Sequence, residues 1–394
     1  MIIVPLQSFR ENLKALPPAA WILFGGTFIN RCGTFVIPFL ILYLTRIGYS
    51  SAQAGFAVGA YGIGHLIASL AGGHLADRMG RRNTIVLSMF GSAASMLALS
   101  QARGYAAIIV LTCVTGSLTE LYRPASYALV GDLVAEEHRV VAMGLYRFAV
   151  NLGFAAGPAT AGFLADHSFT LLFIGDAATS IVYGLIALFA LPHGLRTYVK
   201  TDRSGEALRV AARDRPFMIF MLATLCITTV DFQMGSTFAL HVKSLGFPSR
   251  IFGMLISMNG LLIVIFELGI TQWTRRFQPR PMIALGYLLA GLGFALTGIA
   301  RTVPALAATV VVWTLGEMIS SPVAGAYAVH LAPERYRGRY LGLLMMMWSL
   351  GLVIGPTAGT MLFEHNPAAV WAACGALGII GAALMLYRPQ STRS

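Results

Sequence analysis

Eight ionisable side chains stand inside long apolar stretches of this sequence: Arg31, Glu120, Arg123, Arg147, Asp176, Asp231, Glu267 and Glu317. If those stretches cross a bilayer, a charge at mid-depth costs about 2.5–3.5 kcal/mol on insertion scales. Each such residue is then expected to face a partner or a wet cavity. The chemistry open to the group is ion pairing and proton exchange. Burial raises a carboxyl pKa and a neighbouring guanidinium lowers it. A carboxylate moved between those two settings takes up and releases a proton. Asp231 and Glu317 have no Lys or Arg close in sequence, which makes them the first candidates as proton carriers, with Glu120 third. Glu120 and Arg123 are three apart, so they share a helix face and are placed to pair. Arg31 and Arg123 would hold a carboxylate or an anionic group of a substrate. Asp176 and Glu267 lie nearer the ends of their stretches, where a structural pair is as reasonable as a functional role. Arg147 reads as structural, close to Glu136, Glu137 and Arg139.

The elements that position these residues are helices crossing a membrane. Hydrophobic residues make up 57% of the chain and charged residues 11%, against roughly 25% charge in soluble domains. A spanning helix needs about 20 apolar residues. Hydropathy places twelve such spans near 19–45, 52–76, 84–101, 105–131, 141–164, 168–191, 216–242, 250–273, 281–300, 304–331, 340–363 and 367–387. The expected fold is an all-α polytopic membrane protein of twelve transmembrane helices in two pseudo-symmetric six-helix bundles, 1–191 and 216–394, joined by a polar, basic linker over 192–215. No charged, apolar and small-residue succession of a cleaved leader is visible at the start, so the first span is expected to be structural.

The two halves repeat at a constant offset of 198 positions. Gly153, Gly157 and Pro158 recur as Gly351, Gly355 and Pro356, and Pro124, Arg139 and Gly144 as Pro322, Arg337 and Gly342. Ile47-Gly48-Tyr49 returns as Leu245-Gly246-Phe247. Two membrane halves with a site between them form the build of a secondary transporter. With both termini in the cytoplasm, the inner face carries 20 of the 28 Lys and Arg residues and the outer loops five. That bias sets the orientation. The net charge of +12 is thus mostly a topology signal, because its residues are spread over short loops, and nucleic-acid binding is not expected. Cys32, Cys113, Cys226 and Cys374 show no metal-binding or disulfide spacing, and no metal or other cofactor is expected.

Between the second and third spans the chain reads Gly73-His74-Leu75-Ala76-Asp77-Arg78-Met79-Gly80-Arg81-Arg82. This resembles the loop signature of the major facilitator superfamily at every defined position. The resemblance implies a latch whose release frees a rocking motion of the two halves. Gly73 would let the helix end approach a neighbour closely, Gly80 would permit a tight turn, and Arg81 can reach Asp132. Positive-inside anchoring accounts for Arg78, Arg81 and Arg82 equally well, and the two roles are compatible. The matching loop of the second half, Thr271 to Gln278, keeps the basic pair and lacks the acid and both glycines.

The fifth span carries Gly153, Gly157, Pro158, Ala161 and Gly162. It is similar to the glycine-proline element of the drug/proton antiporter branch, with Ala161 in place of one glycine. Small residues there give a flat face for close helix contact, and the proline permits a bend. The fourth span has the Arg of that branch, Arg123, without its Gln-Gly. Asn30-Arg31-x-Gly33 resembles the early arginine of proton-coupled peptide transporters, without their fuller motif. In the fold implied by the resemblance, spans 1, 4, 7 and 10 line the cavity and carry Arg31, Glu120, Asp231 and Glu317. Asn30, Phe35, Tyr122, Arg123, Tyr127 and Phe232 are then expected to face a substrate. His65 and His241 read more readily as structural.

The expected function is proton-coupled efflux of amphipathic or lipophilic small molecules by alternating access. The alternative is proton-coupled symport of a small polar or carboxylate-bearing metabolite or peptide. No protease, hydrolase or nucleotide motif is present, so the chain is not expected to be an enzyme. Its partners are a small-molecule substrate, protons and membrane lipids. It is expected to work as a monomer in a bacterial inner membrane.

Overall fold

A backbone inside lipid must satisfy its own N–H and C=O groups, which leaves helices as the way for these stretches to cross. The computed structural model describes residues 13–194 and 204–387, and no strand occurs among them. Arg10, Arg196, Lys200, Arg203, Arg388 and Arg393 of the basic count, and linker residues 195–203, lie outside the described residues. Eleven helical stretches of 19–32 residues are apolar and long enough to span a membrane. Leu70, Phe189 and Leu268 stand largely exposed on them. An apolar surface on that scale suits a hydrocarbon surround and not water.

Spans 2 to 6 run Ser51–Met79, Arg81–Gln101, Tyr105–Leu133, Val141–His167 and Phe169–Ala190. Spans 8 to 12 run Ser249–Thr274, Pro279–Thr297, Val303–Leu331, Glu334–His365 and Pro367–Leu386. The stretch expected as span 7 is two helices, Arg215–Asp231 and Thr237–Ser244, separated by a turn. Neither piece alone is long enough to cross. Span 1 is interrupted in the same way, between Pro18–Cys32 and Val36–Arg46. Under the 198-residue offset the break at 33–35 falls on 231–233, which overlaps the span 7 break at 232–236, so both halves interrupt their first helix within a residue or so of the same place. Span 4 is interrupted at Leu121, between Tyr105–Glu120 and Tyr122–Leu133. Pro124 there has no N–H to offer the Glu120 carbonyl.

The repeat is equally visible in the turns. Gly48 and Gly246 both adopt positive φ, 102° and 81°, a region open to glycine at little cost. Ser168 and Asn366, also 198 apart, each cap the helix that follows by accepting a backbone N–H on the side-chain oxygen.

By its internal contacts the chain divides into two compact units, Met1–Val36 with Ile63–Val199, and Ile37–Gly62 with Lys200–Ser394. Sequence order assigns residues 37–62 to the first half, whereas their contacts are with the second. Phe39 meets Phe252 edge-on at 5.1 Å. Gly55, Gly59 and Gly62 on span 2 leave room for Thr360, Thr357 and Val353 on span 11. A Glu364 carboxylate oxygen accepts the Ala52 N–H at 2.8 Å, at a helix start where a negative charge is favoured. In the first unit, Leu23, Phe24, Leu129, Tyr146 and Tyr183 of spans 1, 4, 5 and 6 form one buried core.

Candidate functional site

In the first unit the site is built around Glu120, at the interruption in span 4. Its Oε2 accepts from Arg123 Nη1 at 3.2 Å and lies 3.4 Å from His65 Nε2. Its Oε1 faces Arg31 Nη2 at 3.6 Å. The expected Glu120–Arg123 pair is therefore formed, and three cationic or basic groups converge on one buried carboxylate. The Arg31 guanidinium lies over the Tyr122 ring, 5.4 Å from its centroid.

Two neighbours hold the break in span 1 beside Arg31. The glycine-proline element of span 5 presses on it, since a Cβ added at Gly153 would lie 2.7 Å from Arg31 Cβ and one at Gly157 2.8 Å from the Cys32 carbonyl. Pro158 stands inside that helix. From span 6, Asp176 Oδ2 accepts the N–H groups of both Phe35 and Val36, at 3.1 and 3.2 Å. It thereby caps the second piece of span 1, satisfying donors that a helix start leaves open. Asn30 donates to Ser180 Oγ at 3.4 Å.

The second unit has a different composition at the matching place. Asp231 ends the first piece of span 7 and lies within electrostatic range of Glu317. Glu317 accepts from Asn259 Nδ2 at 3.1 Å, and Asn259 also donates to Thr314 Oγ1 at 3.0 Å. Glu267 is close enough for its charge to act on Glu317. Among the described residues neither Asp231 nor Glu317 forms an ion pair. The turn between the two pieces is stitched by Gln233. Its Nε2 donates to the Gly355 carbonyl at 2.8 Å and the Thr229 carbonyl at 3.0 Å. Its Oε1 accepts from Thr237 Oγ1 at 2.9 Å and Ser236 Oγ at 3.3 Å. Gly359 leaves the space that the amide fills, so the span 11 copy of the glycine-proline element seats this break as span 5 seats the other. Phe232 stands edge-on to Trp348 at 6.1 Å.

At the start of span 3, Arg81 Nη1 pairs with Asp77 at 2.8 Å and Arg81 Nε with Asp132 at 3.3 Å. Gly80 turns the chain at φ 94°, as its place in the loop requires. Arg78 is exposed.

Several expectations need correction. A Cβ at Gly73 would meet nothing within 4 Å, whereas one at Gly72 would lie 2.7 Å from Pro124 Cγ, so Gly72 makes the close helix approach. Tyr122 is fully buried and Asn30 and Phe35 nearly so. Asn30 and Phe35 are held by span 6 beside the span 1 break, whereas Tyr127 stays 39% exposed. Arg147 is exposed on span 5. His65 lies 3.4 Å from the Glu120 carboxylate, and His241 packs beside the Ala300 carbonyl and the Trp371 ring. Sequence reasoning missed Asn259 and Gln233. Each is an amide in a run otherwise apolar, which was the available signal.

The sequence model described as Major Facilitator Superfamily matches residues 23–294 and again 234–394. The chain is 25% identical to the Na(+), Li(+), K(+)/H(+) antiporter of Planococcus maritimus, over 85% of this chain and 87% of that one. It is 24% identical to multidrug resistance protein MdtH of Cronobacter sakazakii, over 90% of each chain. A crystal structure of a mutant form of the nucleoside transporter NupG superimposes with a TM-score of 0.82 at 15% identity, covering 93% of this chain and 99% of that one.

Proposed function

The chain belongs to the major facilitator superfamily, and from that premise we propose that it is a proton-coupled exporter of amphipathic or lipophilic small molecules. One observation carries the proton part of this reading. Asp231 and Glu317 sit within electrostatic range of each other at a helix break, with a neutral amide and no cation as the described partner of Glu317. Two carboxylates in that position do not both keep full charge easily, so one of them holds an exchangeable proton. Glu120, enclosed by Arg31 and Arg123, is the third proton candidate.

The export direction draws on two supports. Relatives of similar length carry the names of a multidrug resistance protein and a cation/proton antiporter, and the glycine-proline element is present in both halves. Access alternates between the two faces of the membrane. The Asp77–Arg81–Asp132 cluster acts as the latch, and Gly153, Gly157 and Pro158 hold the span 1 break through the cycle. Phe232 and Tyr127 meet the apolar part of a substrate. Glu267 and Arg147 are secondary. The protein works as a monomer in a bacterial inner membrane, with both termini in the cytoplasm.

A second reading, symport of a carboxylate-bearing metabolite or peptide, is favoured by the excess of basic groups over acid around Glu120. Inverted membrane vesicles with an acidic interior separate the two. Adding lipophilic cations is expected to dissipate the pH gradient, and Asp231→Asn and Glu317→Gln are expected to abolish that response while the protein still purifies folded. Normal coupling in both variants would overturn the assignment of these carboxylates. Uptake of organic acids or peptides by right-side-out vesicles, with no response to the cations, would select the symport reading.

A further inference from the structure

The group around Glu120 contains one side chain whose ordinary titration range is near neutral pH, and it is not the carboxylate. Arg31 and Arg123 keep their charge at any pH the protein meets. Protonating Glu120 would discard its attraction to two permanent cations. Removing a proton from His65 gives up the attraction between His65 Nε2 and Glu120 Oε2, 3.4 Å apart. An imidazole changes charge between about pH 5 and pH 8 with small help from its surroundings. The balance of these costs places the mobile proton on the histidine.

The stretch of span 2 that carries His65 is held against span 4 by close backbone approach. One residue earlier, Gly64 is pressed onto span 4, where an added Cβ would come 2.6 Å from the Ser117 nitrogen. Two turns later Gly72 is pressed onto Pro124 of the same span. Spans 2 and 4 are thus clamped on either side of His65, and the imidazole is delivered to the carboxylate. Glu120, which the imidazole meets, also meets Arg123 of its own span and Arg31 of span 1. The Tyr122 ring beneath Arg31 is fully buried.

We propose that His65 is the proton-exchanging group of the first unit, and that Glu120 remains ionised and serves as the positioning residue that receives the imidazolium. This rests on the proton-coupled reading given above and changes the role of Glu120 within it. Proton uptake places the proton on an imidazole nitrogen and adds one positive charge to a cluster that already holds two guanidiniums and one carboxylate. Proton release restores the neutral ring. The first unit then carries its own proton site, chemically unlike the paired carboxylates of the second.

The test begins with the purified full-length protein labelled at its histidine side chains and titrated by NMR from about pH 5 to about pH 9, the span over which an imidazole changes charge. His65→Gln assigns the resonance. The expected result is a titrating His65 whose midpoint is displaced by about one pH unit in Glu120→Gln, the scale expected for loss of one nearby opposite charge. A His65 resonance that does not move over this range would overturn the proposal. Transport is then read as ethidium-driven loss of the pH gradient in inverted vesicles. His65→Gln holds the ring position neutral and His65→Arg holds it cationic, and both are expected to flatten the pH dependence seen in the unaltered protein. If both keep the original pH profile, His65 has no part in coupling and the proposal fails. If the unaltered protein gives no ethidium response, the export reading falls, and the NMR titration decides the proton site by itself.

Discussion

The two helix breaks, one in span 1 and one in span 7, occupy equivalent places in the repeat and are held by different chemistry. In span 1 the clamp comes from outside: Asp176, on span 6, caps the Phe35 and Val36 N–H groups with a buried carboxylate. In span 7 it comes from within: the Gln233 amide ties its own turn to the Gly355 carbonyl of span 11. The position matching Asp176 is Cys374, and the position matching Gly33 is Asp231. The acid has in effect moved from the cap to the break itself. A carboxylate occupied with two backbone donors is a structural group. A carboxylate at a break already closed by a neutral amide is not needed for the cap. The glycine-proline element is common to both halves because both breaks need a neighbour without side chains pressed against them.

Substitutions that fill the glycine surface are expected to have the largest effect. A leucine at Gly355 must displace the Thr229 carbonyl, 2.8 Å from the new Cβ, and overpacking of this kind costs about 1–3 kcal/mol or more. Gly157→Leu should do the same against Cys32. Gly269→Leu, where a Cβ meets nothing within 4 Å, should leave the thermal midpoint of the purified protein unchanged. Equal midpoints for all three would show that these glycines do not seat the breaks.

Next in size is Asp176→Ala, which leaves the buried Val36 N–H without its acceptor and weakens the bonding of Phe35. The penalty for such a group is about 1–3 kcal/mol. Asp176→Asn keeps one acceptor oxygen and should recover part of the loss. If thermal unfolding ranks Asn and Ala together, the capping role is wrong.

Gln233→Leu should cost less, about 1–2 kcal/mol, because the Gly355 carbonyl stands inside a continuous helix and keeps its backbone donor when the amide is gone, leaving the Thr229 carbonyl as the one that loses its partner. A larger loss than that of Asp176→Ala would reverse the comparison. The smallest effect is expected at Glu364→Gln, an exposed contact with the Ala52 N–H. Charge at a helix start is worth about 0.3–1 kcal/mol, and added salt should erase the difference between the two proteins in the same unfolding assay.

Much of the architecture was legible before any coordinates. The apolar runs gave the spans, and the 198-residue offset paired Gly48 with Gly246, which the structure shows turning alike. Glu120 and Arg123 could be paired from their spacing because three residues along a helix is a local distance. His65 and Arg31 could not be joined to them in the same way. They sit on other helices, and which faces meet is set by where Gly64 and Gly153 let backbones approach. Gln233 was hidden for a similar reason. An amide has no preferred partner in sequence, and its value appears only when a turn leaves carbonyls and hydroxyls within its reach.

The sequence by itself determined the membrane setting, the helical class, the repeat and the identity of the charged residues. These follow from composition, periodicity and local spacing, which every part of the chain carries with it. Tertiary structure alone decided which charge meets which. It brought His65 and Arg31 to Glu120, beside the local Arg123, and left Asp231 and Glu317 within range of each other. It also moved residues 37–62 into contact with the opposite half. Those outcomes depend on helix faces meeting across more than 50 residues of chain, and no local rule of sequence encodes that distance.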